Sequence, residues 1–232
     1  MEEIRTGKED VNIDEMISNT FVSGLGFSIA ASGLPKQAEK HDGSSFSGKV
    51  SDIEACIEAG TYLDNQDVSR AIKLASYGTG QGHDTFLRGI RVHMNVTASQ
   101  VWWLQCGRYA FFDIVSSQSK MHRIRHMLDK EGYSAFHDRV WSNVWDTLEW
   151  SYKDAKDDAD VENMTDIELA YNCPGGLLLT AGCSTNYLQL KTQYHQRKHH
   201  KLPEWKTYCA WIKTLPMAEY FITHDNNGGK YE

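Results

Sequence analysis

GHDTFLRGIRVHMNVTASQVWWLQCGRYAFFDIVSSQSKMHR, residues 82–123, is the stretch on which the fold turns. It opens on a glycine-bounded polar turn, Gly82-His83-Asp84-Thr85. The run Ile90-Arg91-Val92-His93-Met94-Asn95-Val96 alternates apolar and polar residues, the period of a strand with one dry face. Thr97 stands in an N-cap position before Ala98–Arg108, which reads as a short helix. Gln105 and Arg108 are three residues apart and so share a face of that helix. A short apolar run follows, then a second polar cluster, Ser116-Ser117-Gln118-Ser119-Lys120. Two groups of hydrogen-bonding and cationic side chains thus flank a hydrophobic stem, which is one way to build an anion site.

Working outward, residues 1–19 are acidic and polar and read as a short N-terminal arm. Thr20–Ala31 is apolar with two glycines and fits a helix or a strand. Residues 33–50 have loop composition. They include Gly43-Ser44-Ser45-Phe46-Ser47-Gly48-Lys49, the pattern of a phosphate-binding loop. Val50 takes the place of the magnesium-holding hydroxyl, and no apolar strand precedes it, so a plain loop or a lid is the expectation. Ser51-x-x-Glu54 is a capping-box signature for a helix running to about Gly60, and Asp67–Tyr77 reads as a second helix. Gly78–Gly82 is a glycine-rich turn without the third glycine of a dinucleotide fingerprint.

Beyond the central stretch, Met121–Lys130 reads as a basic helix. Ser134–Lys156 reads as a longer one whose apolar stripe includes Phe136, Val140, Trp141, Val144, Trp145 and Leu148. Residues 154–163 form an acidic turn. Thr165-x-x-Glu168 is a second capping box, and the short helix it starts ends at Asn172–Gly176. Leu177–Cys183 is a short apolar segment. In Ser184–Ile212, Asn186, Gln189, Gln193 and Arg197 fall at offsets that line one helical face. Residues 20–226 form one domain on this reading, and 227–232 a tail.

These residues carry a resemblance. Laid without gaps, residues 82–123 are similar to a segment of the flavin-dependent thymidylate synthases, the ThyX family. That segment runs G-H-E-T, a strand, then a helix with Gln two residues before an R-H-R motif. His83, Thr85, Ala98, Gln105 and Arg108 match. In the full signature, R-H-R-x-x-S-x-N-E-x-S-x-R-Y, Tyr109 stands for the His, Ala110 for the second Arg, and Asp113 for the first Ser. Ser116 stands for the Glu, and Lys120 for the last Arg. The family's early A-A-R-V-S is echoed at Ala30-Ala31-Ser32. Its N-x-R-x-L, with an Arg eleven residues after the Asn, is matched by Asn186, Leu190 and Arg197, with Leu188 replacing the middle Arg. An Arg that the family carries before a Leu-Pro is missing from Ala170–Cys173.

The resemblance implies an α/β (α+β) fold in which a small mixed sheet is covered by helices, assembled as a homotetramer. It implies transfer of a folate-derived one-carbon unit to C5 of a pyrimidine deoxynucleotide, dUMP to dTMP by default, with flavin-mediated reduction. FAD is then the cofactor, with methylene-tetrahydrofolate and NADPH as co-substrates. C5 of a uracil becomes nucleophilic when a fixed cation stabilises negative charge on the ring. Arg197 takes that catalytic position by the resemblance. Gln105, Arg108, Ser119 and Lys120 take nucleotide-binding positions. Ser32, His83, Thr85, Tyr109, Asn186 and Gln189 take cofactor-binding ones.

Composition sets bounds on these readings. The chain has 232 residues and a net charge of −7, with 41% hydrophobic and 24% charged residues, an ordinary globular make-up. That charge opposes general nucleic-acid binding, although Lys191–Lys201, KTQYHQRKHHK, is a basic run. No leader and no bilayer-spanning run is legible, so a cytoplasmic protein is expected. The five cysteines lack a CxxC and read as reduced, mostly buried thiols. His122/His126 and His195/His199 have a metal-compatible spacing without a third ligand, so no metal is expected. The alternative from another class is a flavin-free pyrimidine-nucleotide-binding or regulatory protein on the same fold, suggested by the broken R-H-R triplet.

Overall fold

The computed structural model of the chain describes residues 12–37, 43–78, 81–153 and 164–224. Four strands, β1 (Ile17–Ser23), β2 (Arg91–Ser99), β3 (Asp113–Ser117) and β4 (Leu178–Asn186), form one sheet in the order β1-β2-β4-β3. The strands pair antiparallel, not in the mixed arrangement expected. The alternation of the central stretch is realised in β2, where Val92, Met94, Val96 and Ala98 are buried. The helices are α1 (Ile13–Met16), α2 (Leu25–Ala31), α3 (Gly43–Glu58), α4 (Gln66–Ala75), α5 (Gln100–Cys106) and α6 (Lys120–Glu131), followed by α7 (Ser142–Lys153), α8 (Asp166–Asn172), α9 (Tyr187–Arg197), α10 (Pro203–Ile212) and α11 (Ala218–Phe221). None among the described residues is long and apolar enough to cross a membrane.

The chain falls into two compact units. One comprises Met1–Met94, Tyr109–Asp113 and Ser184–Glu232; the other comprises Asn95–Arg108 and Ile114–Cys183. The first unit buries Ile29, Ile53, Val68, Leu87, Tyr187, Leu190, Trp205, Tyr208 and Phe221. The second has its own core, in which Ile124, Leu128, Phe136, Trp145, Leu148, Tyr152 and Leu169 cluster. Of the arm expected over residues 1–19, the described part is α1 and the start of β1. Thr20–Ala31 is both of its alternatives in turn, strand to Ser23 and helix from Leu25.

Several local expectations are corrected. Residues 43–50 are not loop: they are the first turns of α3, which also removes the phosphate-loop reading. Ser51 does not cap that helix. Its hydroxyl bonds back to the Ser47 carbonyl one turn earlier, the mid-helix habit of serine. Thr97 lies within β2, its hydroxyl 2.8 Å from that of Thr180, and the cap of α5 is Ser99, which accepts from Trp102 N–H. Residues 134–156 are not one helix. A 3₁₀ turn, Gly132–Ala135, precedes α7, and His137 N–H donates to Gly176 O instead of continuing the helix. Trp141 is 75% exposed, off the apolar stripe. Leu177–Cys183 lengthens into β4. Thr165 and Glu168 do form the reciprocal capping box. The acidic turn 154–163, the tail 227–232, part of the 33–50 segment (38–42) and part of the 78–82 turn (79–80) lie outside the described residues.

Candidate functional site

In the first unit, the turn that begins the central stretch and the start of α9 enclose a cavity of about 290 Å³. Its lining includes Gly82, Asp84, Thr85 and Arg88 from the turn, Phe111, and Asn186, Leu188, Gln189 and Thr192 from the α9 end. Gly82 adopts φ +84°, which lets the chain reverse there, and Thr85 Oγ1 closes the turn by donating to Gly82 O at 2.7 Å. Asn186 caps α9, its Oδ1 accepting from Gln189 N–H at 3.0 Å. The volume lies just below the usual range for small-molecule sites, about 300–1,000 Å³. Three residues expected to bind cofactor, Thr85, Asn186 and Gln189, therefore line one cavity. His83 lies beside it in sequence but packs on Tyr77, ring centroids 4.5 Å apart and planes tilted by 38°.

Beneath this turn is an ion pair that the sequence reading missed. Lys191 is fully buried on α9, and its Nζ donates to Asp84 Oδ2 at 3.0 Å, Ala75 O at 2.7 Å and Tyr77 O at 3.0 Å. An ammonium has three protons, and each here has an acceptor, the condition for burying one. Lys191 therefore leaves the basic face read from Lys191–Lys201. Phe111 and Arg88 were also missed. Phe111 holds φ +61°, rare for a large side chain, and its carbonyl accepts from Thr185 Oγ1 at 2.9 Å. Arg88 sits with its guanidinium 5.8 Å from the Phe111 ring centroid. Nothing local marks these residues, since the contacts that gather them join distant parts of the chain.

Arg197 and Tyr109 come together elsewhere in the first unit. Arg197 Nε donates to Tyr109 Oη at 2.7 Å, and Tyr109 Oη in turn donates to Gln196 Oε1 at 3.0 Å. The guanidinium lies 4.8 Å from the Trp205 ring centroid and 5.5 Å from that of Tyr109, a two-ring cation–π cradle. His200 is held below the usual imidazole range, first by burial and then by the Arg197 charge. Gln193, expected on the same face as Gln189, is buried and accepts from Tyr208 Oη. Ser32 ends α2, donating to Ile29 O at 2.6 Å and facing Arg70, and is not among the residues lining the cavity.

The four nucleotide-binding expectations fall in the second unit. α5 ends at Cys106, so Arg108 lies beyond it and does not share its face with Gln105; Arg108 N–H donates to Gln105 O. Arg108 is exposed. Ser119 caps α6, and Lys120 Nζ donates to Gln100 Oε1 at 3.3 Å. Gln100 lines a second, mainly apolar cavity of about 340 Å³, with Trp103, Leu104, Ile114, Gln118 and Thr180 among its other walls. Four of the five thiols are buried. Burial pushes Cys173 and Cys209 up to about 11 and Cys183 to about 12, which makes them poor nucleophiles at neutral pH.

The fold is that of the flavin-dependent thymidylate synthases. The chain is similar to the crystal structure of ThyX from Helicobacter pylori complexed with FAD and dUMP. They are 13% identical, with 90% of this chain and 98% of that chain covered and a TM-score of 0.57. A second crystal structure of Helicobacter pylori ThyX with FAD and dUMP is 14% identical, covers 91% of this chain and 98% of that one, and gives a TM-score of 0.58. No family model and no curated protein matches the sequence.

Proposed function

We propose that this protein is a divergent ThyX-type enzyme that transfers a folate-derived one-carbon unit to C5 of a pyrimidine deoxynucleotide, by default converting dUMP to dTMP. One observation carries the reading. Thr85 and Asn186, which stand in separate motifs, and Gln189, on the helical face of Asn186, are all expected to bind cofactor and line the same cavity on a ThyX-like fold. The lining also fits a flavin nucleotide chemically. It offers two hydroxyls, two amides, a guanidinium and an aromatic ring, and its one carboxylate, Asp84, is neutralised by Lys191. When bound, FAD supplies the hydride chemistry, with methylene-tetrahydrofolate as carbon donor and NADPH as reductant.

In this reading Thr85, Asn186 and Gln189 hold the cofactor, with Ser32, His83 and Tyr109 as the remaining candidates. Gln105, Arg108, Ser119 and Lys120 bind the nucleotide. Arg197 stabilises negative charge on the pyrimidine ring, and the Tyr109 hydroxyl fixes its guanidinium in one orientation. A homo-oligomer, a tetramer by resemblance, is supported by large exposed apolar side chains such as Leu104, Val115 and Tyr171. The cytoplasm is the compartment that suits its free thiols.

The visible absorption spectrum of the purified protein, as isolated and after soaking in FAD and desalting, tests the reading. A retained flavin band that dUMP perturbs is the expected result. A colourless protein that still binds a pyrimidine nucleotide favours the second reading, a flavin-free nucleotide-binding protein, which the broken R-H-R triplet, with Tyr109 for its His and Ala110 for its second Arg, motivates. Within the leading reading, Arg197→Ala abolishes dTMP formation. Full activity in that variant would remove Arg197 from its role.

A further inference from the structure

We propose that Arg88 is the phosphate anchor of the first unit's cavity, holding the phosphate or pyrophosphate of a nucleotide whose planar ring lies against Phe111. The inference rests on reading that cavity as a nucleotide-cofactor site, and it assigns a residue that neither the motifs nor the resemblance singled out. Among the residues lining the cavity Arg88 is the one cation. No ion pair engages it among the described residues, and it is exposed.

The wall around Arg88 removes its natural competitor. Asp84 is the one carboxylate in the lining, it is 2% exposed, and its Oδ2 is bonded to the buried Lys191 ammonium at 3.0 Å. A carboxylate so neutralised neither pairs with Arg88 nor repels an anion. A guanidinium binds phosphate through paired N–H donors, and such charge-assisted bonds are the stronger class.

Phe111 completes the arrangement. The residue is 61% exposed and lines the same cavity, with the guanidinium 5.8 Å from its ring centroid. Its backbone is held at φ +61°, with its carbonyl bound by Thr185 Oγ1. A large residue persists in that conformation when its surroundings fix it, a habit of ligand-contacting positions. A cation beside an exposed aromatic face suits a phosphate ester attached to a flat heterocycle. Thr85 and Gln189 are left to bond its edges and sugar.

The test uses the full chain and its Arg88→Ala and Arg88→Lys variants, with far-ultraviolet circular dichroism to verify folding. FAD, riboflavin, ADP and dUMP are titrated separately by fluorescence or calorimetry. Arg88→Ala should weaken FAD binding by about 10- to 100-fold, the effect of losing a charge-assisted contact. Arg88→Lys should recover part of the loss. Riboflavin, which has no phosphate, should bind all three proteins alike. Wild-type FAD affinity should fall with added salt more steeply than that of Arg88→Ala. Equal FAD affinity in wild type and Arg88→Ala overturns the anchor and leaves the proposed function standing. Binding of ADP or dUMP that depends on Arg88, without any flavin binding, sustains the anchor and overturns the flavin cofactor. Failure of the wild type to bind any of the four overturns the anchor.

Discussion

Residue by residue, the first unit's cavity depends on one buried charge. Lys191 holds the end of α4 and the Gly82–Thr85 turn by three hydrogen bonds from one ammonium. Removing one member of a buried pair leaves the other charge uncompensated and costs about 3–5 kcal/mol. Lys191→Met is therefore expected to lower the unfolding free energy by about that amount in a urea titration. Adding Asp84→Leu should return part of it, because the orphaned carboxylate is then gone. This residue also shows where reading the chain runs out. KTQYHQRKHHK looks like a solvated basic face, because no local pattern says which lysine meets an aspartate from a different segment. Thr85 and Asn186 draw notice in the sequence because they stand in motif positions, and Gln189 because it shares a helical face with Asn186; that all three line one cavity is seen only in the fold. Arg88 and Phe111 were not, because only the packed chain brings them to one cavity.

At the scale of elements, the same signature, Ser/Thr-x-x-Glu, occurs at Ser51 and at Thr165 with opposite outcomes. Thr165 accepts from Glu168 N–H while the Glu168 carboxylate accepts from Thr165 N–H, and this backbone bond holds the carboxyl below its usual range. Ser51 lies two turns inside α3. The difference is a non-local contact. Phe46, in the first turn of α3, packs edge-on against Phe27 of α2 at 5.4 Å, giving residues 43–50 a reason to be helical that their glycine- and serine-rich composition hides. Thr165→Ala should destabilise by about 1 kcal/mol and Ser51→Ala by under about 0.5 kcal/mol. Paired thermal melts of the two variants decide this; equal shifts would mean that the box at Thr165 carries no special weight. The strand β2 and the helices α4, α6 and α9 were legible because each has a plain period. Ser134–Lys156 was misread because the Phe136–Leu177 bridge interrupts a run whose helical spacing looked continuous.

For the whole molecule, the buried thiols set a response to alkali. Cys173 and Cys209 are pushed up to about 11 and Cys183 to about 12, from a reference of 9.0, by burial. Tyr187 is raised by burial as well. A raised pKa means that the native state keeps its proton where the unfolded chain has lost it, so stability falls as pH rises. These groups leave stability unchanged below pH 9 and erode it progressively toward pH 11 to 12. Urea midpoints at pH 8 and pH 10 measure the effect. The fall should shrink in a Cys183→Ala variant, compared with its own midpoint at pH 8. An equal fall in that variant would assign the alkaline loss to other groups.

The sealed ammonium of Lys191 has one more consequence. Amine-reactive reagents need an accessible nitrogen, and this one has no solvent contact and is tied to three acceptors while the chain is folded. Exposed lysines will be modified in the native protein, whereas the peptide carrying Lys191 should gain the tag only when α9 leaves its seat. Mass spectrometry of that peptide would read local opening directly, as a chemical clock built into the chain with no probe to attach.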